Sequence, residues 1–209
     1  INLELNKDIK LLLQKSKFII TLNNKLSNIF QKKYNISNIK IIPPAVDLTY
    51  SVDEDFKEKN YYLLFIEEDI NKINEFNNEF NSFNYIMIGN NQANTFLSKI
   101  PKNIKYINIQ ERAHLMNYIK NSNGLINITN QDIDEIIISA MGLGCPIITK
   151  NREDIIDKNE TGLIFNDWND LKQILAKDKT KIILKAKNHI FNNYSITDEY
   201  WKYNELFIN

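Results

Sequence analysis

Apolar and polar positions along the chain change rhythm between a helical and an extended spacing. Residues 2–15 carry Leu3, Leu5, Ile9, Leu12 and Leu13 near the 3.6-residue spacing of an amphipathic helix. Phe18–Leu22 is a short apolar run that reads as a strand. Asn23 or Asn24 can cap a helix that runs through Leu26, Ile29 and Phe30 to about Tyr34. Ile39–Ile42 is extended and enters Pro43-Pro44, whose fixed φ angles exclude a helix there. A polar, acidic stretch follows to Asn60 and reads as a linker.

From Tyr61 the alternation becomes regular. Strands are expected at Tyr61–Ile66, Tyr85–Ile88, Ile104–Ile109, Gly124–Thr129, Cys145–Lys150 and Gly162–Phe165. Helices are expected between them. The first runs from Asp69 to Phe83, with Ile70, Ile73, Phe76 and Phe80 on one face. Others cover Gln92–Ile100, Glu111–Lys120 and Asp134–Gly144, with a short one at Arg152–Lys158 and a longer one at Trp168–Ala176. One or two further helices with aromatic anchors fill Thr180–Phe207. Strands that alternate with helices build βαβ units, so the fold class is α/β, a doubly wound Rossmann-like parallel sheet. Its flanks are a short N-terminal extension and C-terminal helices.

Composition narrows the chemistry. Lys and Arg together number 26 and so do Asp and Glu, so no bulk charge draws the chain to nucleic acid or to a membrane surface. A single cysteine, Cys145, rules out an intramolecular disulfide, and its place in an apolar run suits a small buried residue. No apolar run approaches the roughly 18–20 residues of a membrane span. No signal peptide is visible, and a cytoplasmic location is expected. Asn, Ile and Lys are heavily over-used, which weakens an argument from any one of them. The chain starts at Ile1 inside an amphipathic pattern, as a fragment would. His114 and His189 lie far apart without metal-ligand spacing. Neither a G-x-G-x-x-G nor a Walker-type loop occurs.

The order of motifs resembles the C-terminal, donor-binding domain of retaining GT-B glycosyltransferases that use nucleotide sugars. Ile41–Asp47, IIPPAVD, resembles the family's interdomain crossing I-P-N-G-V-D. Ile86–Asn90 resembles its V-x-V-G-D-G strand and turn. Ala140–Ile148, AMGLGCPII, is similar to E-A-M-A-x-G-x-P-V-I, and Thr161-Gly162-Leu163 to T-G-L. The match runs in order through residues 41–176. It implies three parts. Residues 1–47 would be the end of an N-terminal domain and the crossing, 48–178 the Rossmann-like donor-binding domain, and 179–209 the C-terminal helices.

What the resemblance implies for the site can be set against the residues. The family's basic pair, Arg then Lys, meets the donor's diphosphate. Lys72 stands at the lysine position, but Glu67 at the arginine and Ile66 at the strand's closing glycine. Two glutamates seven residues apart contact the sugar and the ribose. Ser139 takes the second position, and the first falls on Gln131 or Asp132 depending on the direction of counting. Gly89 and Asn90 match the turn near base and phosphates, and Thr129 the serine before the loop. The implied donor-binding set is therefore Lys72, Gly89, Asn90, Thr129, Gln131, Asp132 and Ser139; no catalytic residue is assigned.

The resemblance implies a glycosyltransferase that moves a sugar from a nucleotide-sugar donor, with this chain as the donor-binding half. No cofactor or metal is expected. The implied partners are the nucleotide sugar and a missing N-terminal domain that holds the acceptor. Nucleic acid is not a partner, and any peripheral membrane association is assigned to the missing half. The departures at Ile66, Glu67 and Ser139 support an alternative, a degenerate glycosyltransferase-like domain that serves as a binding or structural partner. An epimerase of the same fold is a third reading.

Overall fold

The computed structural model describes residues 7–22, 24–43, 45–46, 60–89, 93–108, 111–129, 133–150 and 155–208. Two compact units emerge, Ile1–Ala45 with Tyr194–Asn209, and Val46–Asn193. The first contains α1 (Lys7–Lys15), β1 (Ile19–Thr21), α2 (Asn24–Tyr34) and β2 (Ile39–Ile41). β1 and β2 pair in parallel, with Ile19 opposite Ile39, as a two-stranded sheet. Ile19, Tyr34 and Ile36 form its small core. Such a sheet offers little burial by itself.

The second unit holds β3 (Tyr62–Phe65), α3 (Ile70–Phe80), β4 (Tyr85–Ile88), α4 (Asn94–Leu97), β5 (Ile104–Ile107), α5 (Arg112–Asn121) and β6 (Leu125–Asn127). It continues with α6 (Asp134–Leu143), β7 (Ile147–Thr149), β8 (Leu163–Ile164), α7 (Trp168–Ala176) and α8 (Thr180–Asn193). Six strands form one parallel sheet in the order β5-β4-β3-β6-β7-β8. β3 lies near the centre, and all four of its residues are buried. This is why YLLF reads as a continuous apolar run and not an alternating one.

One face of the sheet presents Tyr62, Leu64, Tyr85, Met87, Ile126 and Ile148 to α3 and α7, which contribute Ile73, Phe76, Phe80, Leu171 and Ile174. Phe76 is the hub. Its ring centroid lies 5.0 Å from those of both Phe80 and Tyr85, and 6.1 Å from Trp168. The buried Tyr85 hydroxyl donates to the Phe80 carbonyl at 3.0 Å, so the polar end of the ring is satisfied at the end of α3. Alternate strand residues face the other side. There α5 and α6 touch, and α6 packs on α8.

The stretch AMGLGCP closes α6 by a Schellman motif. Gly144 adopts φ 83°, its N–H donates to Met141 O at 3.1 Å, and the Cys145 N–H donates to Ala140 O at 2.9 Å. Pro146 then prevents any continuation of the helix.

Two elements differ from the expectation, and a third, the C-terminal stretch, agrees with it. Asn94–Leu97 is a single helical turn, shorter than Gln92–Ile100, and its backbone closes in turns before Pro101. Residues 155–158 form a turn and a bridge to Gly162, not the end of a helix. The Asp157 carbonyl accepts from Glu160 and Thr161 there, and Asn159 takes a left-handed φ of 64°. The C-terminal stretch is two helices, α8 and then α9 (Ile196–Ile208), which belongs to the first unit. The polar stretch up to residue 59 lies outside the described residues. No helix among the described residues is long and apolar enough to cross a membrane.

Two outcomes test this packing. Phe76→Ala should destabilise the protein by about 3–5 kcal/mol in urea unfolding, because the three rings around it cannot collapse into the void. Burial pushes the Cys145 thiol from its ordinary value near 9 up to about 12. The folded pKa is the higher one, so this contribution to stability is full below about pH 9 and falls as pH rises from there towards 12. Ellman's reagent at pH 8.5 should therefore leave the native thiol unreacted and modify it only on unfolding.

Candidate functional site

Chain order in the sheet reverses between β3 and β6. From β3 the chain builds outward through β4 and β5, then crosses to β6 and builds the other way through β7 and β8. In such sheets a reversal of strand order opens a crevice at the carboxyl edge, the usual ligand position. Phe65 is in register with Asn127, so Glu67 and Thr129 each follow by two residues the ends of paired strands.

The β3 side is acidic. Asp69 caps α3, its carboxylate accepting from the Asn71 N–H at 2.8 Å. Lys72, in the first turn of α3, is ion-paired to the Glu67 carboxylate. Both side chains are partly exposed, so the pair adds little stability. Its electrostatic consequence is larger, because the cation expected to meet phosphate already has a counter-charge. At the end of β4, a Cβ on Gly89 would collide with the Glu68 carboxylate and the Tyr106 hydroxyl. The groups that crowd Gly89 are the ends of the protein's own side chains, which would have to move aside for a larger residue.

On the β6 side, three residues are joined. The Thr129 N–H donates to Asn127 Oδ1 and Asn127 Nδ2 donates to Thr149 Oγ1, each at 3.2 Å. Asn127 and Thr149 are fully buried. The pairing ties the carboxyl ends of β6 and β7 together and fixes the start of the loop that leads to α6. Lys150 follows at the end of β7 and is exposed.

α6 begins at Ile133 without a side-chain cap, and Asp134 and Glu135 occupy its first turn. Both carboxylates suit the positive end of the helix dipole. Glu135 is ion-paired with Arg112, the first residue of α5. Between the two helices is a cavity of about 220 Å³. Glu111, Arg112 and Glu135 form its polar wall, and Leu115, Met116 and Ile136 its apolar one. Ser139 also lines it. Ser139 is 1% exposed and its hydroxyl has no hydrogen-bond partner. A buried hydroxyl left unpaired costs on the order of 1–3 kcal/mol, and a ligand hydroxyl or amide that reached it would remove that cost. The volume is below the roughly 300–1,000 Å³ of a whole ligand site and suits one ring-sized part of a ligand.

Of the seven residues singled out from the sequence, Ser139 lines this cavity, while Lys72, Gly89 and Thr129 do not. Asn90, Gln131 and Asp132 lie outside the described residues. Sequence reasoning missed Arg112, Asn127 and Thr149. Arginine occurs at only two positions, 112 and 152, in a chain where lysine is the background, and that scarcity was the available signal. Among the described residues, no group of three or more His, Cys, Asp or Glu could hold a metal ion.

No protein-family model and no curated protein sequence matches the chain. Solved structures do. A chain in the structure of accessory secretory protein 1, 2 and 3 from Streptococcus pneumoniae aligns at a TM-score of 0.63 and 12% identity, over 95% of this chain and 44% of that one. A UDP-forming α,α-trehalose-phosphate synthase from Burkholderia xenovorans aligns at 0.63 and 10%, over 96% and 62%. AviGT4, a glycosyltransferase involved in avilamycin A biosynthesis, aligns at 0.58 and 9%, over 81% and 57%. UDP-N-acetylglucosamine 2-epimerases are also similar in fold. The fold is that of a GT-B C-terminal domain. The chain spans about half the length of these GT-B neighbours, and identities this low carry the fold alone.

Ser139→Ala should stabilise the unliganded protein by about 1 kcal/mol, because it deletes an unpaired buried hydroxyl. Urea unfolding checks this, and a loss of stability would show that the hydroxyl has a partner after all.

Proposed function

We propose that the chain is the donor-binding half of a glycosyltransferase, with the nucleoside end of a nucleotide sugar in the cavity between α5 and α6. The observation that carries this reading is the unpaired, buried hydroxyl of Ser139. It stands at the position where the resembled family contacts the ribose, and among the described residues that line the cavity it is the buried side chain that lacks a partner a sugar hydroxyl would supply. The apolar side chains of Leu115, Met116 and Ile136 suit a flat base, while Glu111 and Glu135 can accept from ribose hydroxyls or base N–H groups. The reading calls for no metal.

The acceptor would be held by a further N-terminal segment. Two observations support such a segment. The chain covers only 44–62% of the neighbours described above. In the first unit, Leu12, Leu22, Ile41, Tyr200, Trp201 and Ile208 are exposed, beside a parallel sheet of only two strands.

A second reading, a domain that binds a nucleotide sugar without transferring it, is favoured by the Lys72–Glu67 pair. Stabilising a leaving diphosphate is where such enzymes use a free cation.

Calorimetric titration of the intact protein with UDP-, GDP- and ADP-sugars tests both. One of the three should bind, about tenfold more weakly to Ser139→Ala. If none binds, neither reading stands. Slow release of the free nucleoside diphosphate over hours would mark the transferase, and a bound donor that stays intact would mark the second reading.

A further inference from the structure

We propose that Glu67 makes this site select the uncharged nucleoside end of its ligand and denies the phosphates any net attraction. The proposal rests on the nucleoside reading of the cavity and adds a specificity-determining residue to it. Just beyond the carboxyl ends of β3 to β7, the described residues of the loops and helix starts carry six carboxylates, Glu67, Glu68, Asp69, Glu111, Asp134 and Glu135, against three cations, Lys72, Arg112 and Lys150. Two of those cations are already matched, Lys72 by Glu67 and Arg112 by Glu135. Asp69 and Asp134 are at helix starts, where backbone N–H groups and the dipole would otherwise receive an anion. A phosphate arriving at the β3–β6 crevice must compete with Glu67 for Lys72 and with these carboxylates for the helix ends.

The cavity makes the opposite offer. Its unpaired feature is a neutral hydroxyl, Ser139, buried beside apolar side chains. A neutral group with hydroxyl or amide donors gains there without displacing an ion pair. Recognition is thus divided along the ligand. The nucleoside end meets an unmet hydrogen-bonding need, and the phosphate end meets three cations of which two, Lys72 and Arg112, are already matched by Glu67 and Glu135.

Calorimetry on the intact protein with uridine, guanosine and adenosine, and with UDP, GDP and ADP, reads this directly. For the base that binds, the nucleoside and its diphosphate should have dissociation constants within about threefold of each other. Glu67→Gln frees Lys72, and should tighten the diphosphate about tenfold while moving the nucleoside by less than about twofold. Adding Lys72→Ala to Glu67→Gln should erase the gain. A wild-type diphosphate that binds more than about tenfold tighter than its nucleoside overturns the proposal but leaves the nucleotide-sugar reading intact. So does a Glu67→Gln effect of equal size on both ligands. If no nucleoside and no diphosphate binds, both are overturned. Should Glu67→Gln fail to fold, the wild-type protein answers alone. Its diphosphate affinity should be nearly constant between about 50 and 300 mM salt, and a steep fall over that range overturns the proposal.

Discussion

Every strand pair of the six-stranded sheet is parallel, and this requirement shapes the rest of the second unit. A parallel neighbour can be reached only by a crossover, and the crossovers must cover both faces because neither can be left to water. Hence β3 is apolar at every position, and α3 and α7 close one side over Phe76 while α5, α6 and α8 occupy the other. The crossovers also bring successive helix starts to one edge. The reversal of order between β3 and β6 then opens a crevice at that edge, with no special loop needed to make it.

Several positive helix ends converge at the carboxyl edge, and a sequence can use them in two ways. It can leave the backbone N–H groups for an anionic ligand, with glycines for close approach, or it can satisfy them internally with carboxylates. This chain takes the second course at two sites. Asp69 caps α3 and Asp167 caps α7, while Asp134 and Glu135 add charge to the uncapped start of α6. The gain is local stability of roughly a kcal/mol per cap. The same carboxylates oppose anions, and Glu67 and Glu135 extend the effect by taking the neighbouring Lys72 and Arg112 as partners. Helix stability and anion affinity draw on the same groups, and here the first is favoured.

What could be read from the sequence follows from how local each cause is. The Schellman end of α6 is written in consecutive residues, with a glycine where φ must be positive and a proline beyond it, so AMGLGCP was legible. The helix α3 was legible because Ile73, Phe76 and Phe80 share a face and Asp69 precedes them. The turn at 155–158 was not. The Asp157 carbonyl, a left-handed Asn159 and a bridge to Gly162 override an apolar pair that suggested a helix. The site was less legible than the fold, because its decisive pairs are spatial. Arg112 and Glu135 lie on different helices, and Asn127 and Thr149 on different strands. Lys72 and Glu67 could each be assigned a position from the family pattern, yet only the folded chain shows that one cancels the other.

Ser139 and Glu67 depart from the resembled family in physically different ways. Replacing a glutamate by Ser139 removes charge but leaves a hydroxyl, which is buried against the cavity without a partner. That is a weakened contact of the same kind, and it still rewards a polar ligand. Replacing a basic residue by Glu67 reverses the sign, and the reversed charge then neutralises the cation that remains. An unpaired buried hydroxyl is costly where an alanine would carry no such cost, and a polar ligand offsets it. Selection for a diphosphate would have no reason to tolerate the Glu67–Lys72 pair. A ligand held by its neutral, hydroxyl-bearing end accounts for both substitutions together.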